Sequence, residues 1–498
     1  MSETEERKAR IESLLEGEIP VKLPKGKLIV LVGSWIIFFA IGIGALIDIL
    51  GPQAATIALL LSLLGPTITV LIVPIIIMAV LAGGVIVLTV WLMVRLLKNH
   101  GYGLLKFSIL LTAILVWVFF GITIAVFGWS WVSILLLIIC IAATILPILY
   151  FTIWKQRLEI AGAIVQLCGK VTYEEKELFL PGFLKVFFVG ILSTFGGFIA
   201  TDISAYTIPT VDPLWYNYIP LVLYLFVLFF YVYINTFFFN AIVTAISYIW
   251  YRKKDPKFKD GLTIAVYQLP DLAVFAVFSA LIKLIRMLLQ NLQARYQKNP
   301  GGAPIGRAPW TGDAFRLADG IIANIWYYVN YFTLPSIVIE DVPATTAIKR
   351  SVHRLFDNWV DVLIKEWGVG AVFAVLQFLI VFIFAMGGAL FGFILSTIYL
   401  PDYLLVMVII GVIIFMFLSA LVSKPFLSLL NDIYLTFLFG VILDKESKFK
   451  YENNLPKDLN DKLKDFFEAH PAIKRCSNCF TRIPEGAHSC PNCGQAYP

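Results

Sequence analysis

Residues 54–94 read AATIALLLSLLGPTITVLIVPIIIMAVLAGGVIVLTVWLMV, an apolar run without one ionisable side chain. As a single helix it would be roughly 60 Å long at about 1.5 Å per residue, twice the ~30 Å hydrocarbon core of a bilayer. One straight crossing is therefore excluded. Gly65-Pro66 is the natural break, since proline lacks an N–H and clashes with the preceding turn. The reading is a half-helix over 54–64, on the outer surface or re-entrant, followed by a full span. The whole chain shares this character, with 59% of its 498 residues hydrophobic and only 14% charged, and a mean hydropathy of +0.85. That composition excludes a soluble globule and points to an all-α polytopic membrane protein.

Outward from this run, stretches of about 20 apolar residues predict ten crossings: 28–50, 67–94, 104–127, 131–153, 182–203, 217–240, 269–289, 319–338, 370–397 and 403–422. Residues 217–250 and 403–441 are overlong, and each is read as one crossing with a kinked or amphipathic inner extension. The first 27 residues are charged, and Ser2-x-x-Glu5 is a capping box that predicts a short soluble helix through Leu15. The run from Leu28 to Leu50 is too long for a signal peptide and no small-residue cleavage site follows it, so it reads as a retained first span.

Basic residues give the sidedness. With the N-terminus inside, all 39 Lys and Arg except Lys283, Arg286, Arg295, Lys298, Arg307 and Arg316 fall on the inner side. Those six belong to one outer loop at 290–318 or its flanks, read as a small outer domain that is tolerated despite its charge. Three inner stretches are amphipathic as well as basic. In 155–170 the apolar positions are Leu158, Ala161, Ile164, Val165 and Cys168; the second stretch is 257–268, ending in Leu269-Pro270. In 343–362 the apolar stripe is Ala344, Ala347, Ile348, Ser351, Val352, Leu355 and Trp359, opposite Thr345, Lys349, Arg350, His353, Arg354 and Asp357. Helices of this kind lie in the inner interface as elbows before outward spans, with basic residues near anionic headgroups.

Six cysteines divide cleanly. Cys140 and Cys168 stand alone in apolar surroundings and read as small buried side chains. Cys476-Ser-Asn-Cys479 and Cys490-Pro-Asn-Cys493, ten residues apart, suit a tetrahedral four-thiolate zinc ribbon. Four thiolates close the coordination sphere of one structural Zn2+ and leave no position for a catalytic water; His488 reads as a surface residue beside them. Reduced thiolates need a reducing compartment, which puts the C-terminus in the cytoplasm with the N-terminus. Only Lys474, Arg475, Arg482, Phe480 and Tyr497 could serve a nucleic acid, so a cytoplasmic protein is the partner expected of the ribbon.

The chain shows no HExxH, GxSxG or phosphate-binding loop, and its histidines, His100, His353, His470 and His488, lie outside the spans. The reading is non-enzymatic. Lys283 and Arg286 are the ionisable residues deepest in a predicted span and read as snorkelling outward. Glu340 and Asp341, at an inner span end, could pair with Lys349 or Arg350 and fix the elbow. Asn235, Asn240, Asn324, Asn330 and Gln377 are polar groups inside spans, where such groups more often bond between helices than line a path. Gly388-Ala-Leu-Phe-Gly392 marks close helix packing, within a chain or between chains of an oligomer.

The elbows carry a resemblance. Lys176-Glu-Leu-Phe-Leu-Pro181, Asn240-Ala241, Asp255-Pro256, Asp260-Gly-Leu262, Leu269-Pro270, Leu334-Pro-Ser-Ile-Val-Ile-Glu340-Asp341 and Ala347-Ile-Lys-Arg-Ser351 form a series that resembles an uncharacterised family of prokaryotic multi-span membrane proteins, over about 155–440. More faintly, 335–351 is similar to the membrane domain attached to some bacterial glycerophosphoryl diester phosphodiesterases. The resemblance implies a polytopic helical domain with inner elbows in a prokaryotic cell membrane, and it brings no catalytic residues. The organisation read is a cytoplasmic segment (1–27), a four-span region (28–154), a six-span domain (155–441), a cytoplasmic linker helix (442–470) and the ribbon (471–498). Two functions fit: a membrane scaffold recruiting a protein through its ribbon, and a transporter or channel for a small or lipid-derived solute with a polar cavity at Asn240, Asn330 or Gln377.

Overall fold

A bilayer offers the backbone no hydrogen-bond partner, so each apolar run must satisfy its N–H and C=O groups internally, and helix is what forms. In the computed structural model of the chain, described over residues 10–464 apart from 11, 17, 19–21, 52–53, 130, 209–214, 299–310, 400–403, 448–449, 458–459 and 462, every regular element is helical. In chain order these are α1 (Lys25–Leu50), α2 (Ala54–Phe127), α3 (Trp131–Thr152), α4 (Lys155–Glu174), α5 (Phe179–Thr207), α6 (Ile219–Tyr251), α7 (Phe258–Tyr267) and α8 (Leu269–Lys298). There follow α9 (Thr311–Val329), α10 (Thr333–Glu340), α11 (Ala344–Asp357), α12 (Trp359–Leu363), a π-helical turn at Ile364–Val369, α13 (Gly370–Tyr399) and α14 (Leu404–Glu446).

Among the described residues seven helices are long and apolar enough to cross a membrane, or eight if a bent pair counts as one span. Ten were expected, and each difference has a local cause. The break at Gly65-Pro66 is not seen. Helix α2 runs on through it for 74 residues, and its one non-helical residue is His100, with φ −131° and ψ 20°. Proline there costs a hydrogen bond without ending the helix, as happens where neighbours re-satisfy the backbone. The crossings read at 67–94 and 104–127 therefore share one helix. The crossing read at 131–153 belongs to a bent pair, Leu136–Thr152 and Lys155–Glu174, which meet at 92°. The crossing read at 319–338 is interrupted at Asn330–Phe332, between α9 and α10.

The chain forms two compact units. The first is built from the described residues of Met1–Leu63 with Leu180–Asp357, and the second from Leu64–Phe179 with Asn358–Ala472. In the first unit α6 packs along α8 and against α7 and α10. Its first half is less buried, but almost every residue from Ile234 to Tyr251 is buried, so the extension read as kinked or amphipathic is a core element buried on all sides. Helix α1 joins through Phe38 and Ala45, which cluster with Leu192, Ile199 and Leu228. In the second unit α13 and α14 form the most extensive helix pair, and α4 crosses the inner part of α14. The last turns of α14, from Leu429 to Asp444, are buried in the same manner.

Helices form at all three amphipathic stretches. Helix α4 buries Leu158, Ala161, Ile164, Val165 and Cys168, the five positions of its stripe. Helix α7 spans the second, and Asp260 accepts a hydrogen bond from the Lys257 backbone N–H (3.0 Å) at its start. In α11 the buried stripe is Ala344, Ala347, Ser351 and Arg354. This corrects the reading of Arg354 as a polar-face residue, while Trp359 of the apolar stripe is 55% exposed. The stripe is turned toward a buried carboxylate.

Candidate functional site

The densest polar cluster of the first unit sits where α10 gives way to α11. Helix α10 ends at Asp341, whose backbone is left-handed at φ 48°, ψ 49°. Aspartate tolerates that region better than most residues because its short polar side chain bonds locally, and Val342-Pro343 then redirects the chain into α11. Glu340 and Asp341 are 7% and 6% exposed and point to different partners. Arg354 donates to Glu340 through both Nη1 (2.6 Å to Oε2) and Nη2 (2.9 Å to Oε1), and Arg350 Nη1 adds a bond of 3.0 Å. Arg354 Nη1 also reaches Ser336 Oγ at 3.2 Å, one turn before Glu340 on α10. Such a two-pronged guanidinium–carboxylate bond fixes distance and angle together.

Asp341 accepts from Arg10 Nε (2.7 Å) and from Gln268 Nε2 (2.7 Å). The Arg10 guanidinium lies 5.0 Å over the Tyr267 ring, and Lys27 donates to the Tyr267 carbonyl at 2.8 Å. Asp271, one turn into α8, accepts the Ala344 N–H at 3.2 Å and so caps the first turn of α11. Ser351 Oγ accepts the Phe332 N–H at 2.9 Å, tying α11 to the α9–α10 break. The N-terminal segment, α7, α8, α10 and α11 thus meet at one polar node.

Burial alone would raise the Glu340 carboxyl, but the charges of Arg354 and Arg350 and hydrogen bonds from Arg354 and Ser336 outweigh it, leaving the group below its ordinary 4.5. A depressed carboxylate contributes stability that is fully present above its ordinary value and is lost as pH falls through the folded one. The melting temperature in detergent should hold as pH falls toward 4.5 and drop below it. Glu340→Gln should flatten that acid limb. An unchanged limb in the variant would assign acid sensitivity to other groups.

A second polar group lies in the second unit, where Arg157 Nη1 donates to Asp361 Oδ1 at 3.0 Å. Beside them Asn358 and Tyr434, with aliphatic residues of α4 and α14, line a cavity of about 20 Å³, room for roughly one water. A smaller cavity of about 10 Å³ lies in the first unit among Leu14, Tyr248, Ile264 and Val338.

Of the residues read from sequence, Glu340 meets Arg350 as expected, with Arg354 as its stronger partner. Arg286 Nε donates to Asp319 Oδ1 (2.7 Å), and Gln290 Nε2 to Asp319 Oδ2 (2.9 Å), so this arginine is held between α8 and α9. Asn235 accepts from Trp35 Nε1 (2.7 Å), Asn240 from Lys185 Nζ (2.8 Å), and Asn330 donates to its own helix at the Trp326 carbonyl (2.8 Å). Gln377 and Asn324 are exposed. Neither cavity contains Asn240, Asn330 or Gln377. Cys140 and Cys168 are free and buried. Cys476, Cys479, Cys490 and Cys493 lie outside the described residues, and among those described no group of three or more His, Cys, Asp or Glu is placed to hold a metal.

The node at Glu340–Asp341 falls inside a stretch that matches a sequence family. Residues 218–449 match a family of unknown function (DUF6159). The DUF6159 match runs from α6 through α14 and takes in Gln268, Asp271, Glu340, Asp341, Arg350 and Arg354, while Arg10 and α1–α5 stand outside it. It is consistent with the uncharacterised domain expected over about 155–440, of which it covers the part from 218 onward. No curated protein matches the chain.

Proposed function

We propose that the chain is a non-enzymatic membrane scaffold of a prokaryotic cell membrane, with both termini cytoplasmic and a C-terminal zinc ribbon that recruits a cytoplasmic protein. The observation that carries the reading is how the carboxylates of the first unit's polar node are used. Glu340, Asp341 and Asp271 are each bonded to groups on other elements of the same unit, so these charges hold helices in place.

The same node bears on topology. Helix α8 starts beside Asp271, and Ala344 returns to bond that residue, so α9 and α10 together bring the chain back to the level from which α8 departed. Arg286–Asp319 holds α8 and α9 side by side on the way. This supports α9–α10 as a broken crossing, the eighth read from the sequence. Arg10 on Asp341, and the Tyr248 hydroxyl donating to the Leu15 carbonyl at 3.2 Å, support an N-terminal segment on the same side as the elbows.

The ribbon supplies the test. Purified full-length protein should contain one zinc per chain by elemental mass spectrometry. Cys476→Ser with Cys479→Ser should release it along with the co-purifying protein, while membrane insertion stays intact. A partner retained by the zinc-free variant would sink recruitment through the ribbon; a zinc-free wild type would sink the ribbon itself.

A further inference from the structure

The middle of α2 carries three cations that have no carboxylate. Arg95 is exposed and Lys98 and Lys106 are half-buried, yet among the described residues none of them forms an ion pair. Each lies on an aromatic face instead: Arg95 is 5.1 Å over Trp91, Lys98 3.9 Å over Tyr173 of α4, and Lys106 4.2 Å over Tyr102. Trp91 and Tyr173 are each 45% exposed, and Phe107, next to Lys106 in the chain, is 56% exposed. His100, the non-helical residue of α2, sits at the centre of this stretch.

The platform is built rigidly. A Cβ on Gly101 would fall 2.7 Å from the Gln166 backbone nitrogen, one on Gly162 would strike the Tyr102 ring, and one on Gly169 the Lys98 backbone, so α4 lies in direct contact across the kink. The level of that contact follows from the chain path. Beyond the kink α2 runs to Gly128, a left-handed turn at φ 65°. Helix α3 returns alongside, with Trp117 Nε1 bonded to Thr144 Oγ1 at 2.9 Å, and bends 92° into α4. The chain therefore leaves the level of His100 across one helix length and comes back to it. Three solvated cations cannot rest at the bilayer centre, whereas cations and Trp or Tyr side chains together are characteristic of its interface.

We propose that Arg95, Lys98 and Lys106, on their aromatic rests, bind the headgroup phosphates of anionic phospholipids in the inner leaflet. The aromatic faces hold the ammonium and guanidinium groups outward without neutralising them, and Phe107 and Trp91 offer apolar surface to the acyl chains. His100 is then a turn at the membrane surface, with α2 entering the bilayer on either side of it.

The test compares lipids on the full chain in detergent, by native mass spectrometry and thermal unfolding, after adding phosphatidylglycerol, phosphatidylcholine or inorganic phosphate. Phosphatidylglycerol should be retained and should raise the melting temperature above both others. Arg95→Gln/Lys98→Gln/Lys106→Gln should lose about fivefold in that preference for each charge removed. Lys450→Gln/Lys457→Gln/Lys464→Gln, which removes as much charge from the linker after α14, should keep it. Single Lys98→Gln, at a half-exposed position, gives the same reading if the triple variant folds poorly. Equal losses in both triple variants, equal retention of phosphatidylcholine, or equal stabilisation by inorganic phosphate would each overturn the proposal.

Discussion

Arg354→Ala should be among the most damaging single changes in the first unit, costing about 3–5 kcal/mol, because it leaves Glu340 charged and buried without its two-pronged partner. Arg354 is 2% exposed at its side chain and Glu340 9%, so water cannot replace the lost bonds in place. Arg350→Ala should cost far less, about 1 kcal/mol, since Arg350 is 18% exposed and Arg354 would still hold the carboxylate. The pair is dear to break and cheap to replace. Glu340→Met with Arg354→Met should recover most of the loss, as apolar side chains of similar volume commonly match or exceed buried ion pairs in stability. Denaturant unfolding in mixed micelles reads all four proteins. An Arg354→Ala protein as stable as wild type, or a double variant worse than the single one, would show that Glu340 is satisfied by other means.

Gly392→Val should open the α13–α14 hairpin. A Cβ there would overlap the Met407 carbonyl oxygen and lie 2.6 Å from the Val408 Cα, and one at Gly388 would overlap the carbonyl oxygen of Gly411. These obstacles are backbone, so no side-chain rotation relieves them and the helices must move apart. Overpacking of this kind costs about 1–3 kcal/mol per site and more where the whole contact separates. Gly388→Val/Gly392→Val should therefore lower the melting temperature more than either change alone. Gly387→Ala is the control one position away, because its Cβ would meet only the Phe415 ring, at an ordinary 3.6 Å. A hairpin that tolerates valine at both sites would mean that the close approach of α13 and α14 is not what holds them.

The Gly388–Gly392 motif left open whether the contact was within or between chains, and the structure answers with Gly411 of the same chain. Other features were legible because their signal is local. The stripe of α4 and the positions of the three elbows follow from periodicity, and the inner extensions of α6 and α14 from helix length against bilayer thickness. Glu340 with Arg350 was visible from their position at one elbow. What was missed depends on distant partners. Arg354 was placed on the polar face because an isolated helical wheel turns charge outward, and only Glu340 on a separate helix draws it in. Arg10 and Asp319 have no local signal, since Asp341 and Arg286 reach them from 331 and 33 residues away in sequence. The break assigned to Gly65-Pro66 weighed proline chemistry over backbone continuity. His100, where α2 bends, is a residue type with no breaker character.

The interleaving of the two units reaches into how the protein is made. Residues 64–179 belong with residues 358–472, and the segment between belongs with the N-terminus. At a synthesis rate of about 5–20 residues per second, α2 through α4 wait roughly 10–40 s in the membrane before their partners leave the ribosome. During that interval Arg157 has no Asp361, and the face of α4 that α14 will cover stands open. The nascent chain thus presents an unfinished polar surface at the membrane interface, the kind of intermediate that an insertion chaperone holds. A ribosome stalled near residue 357 would strand it.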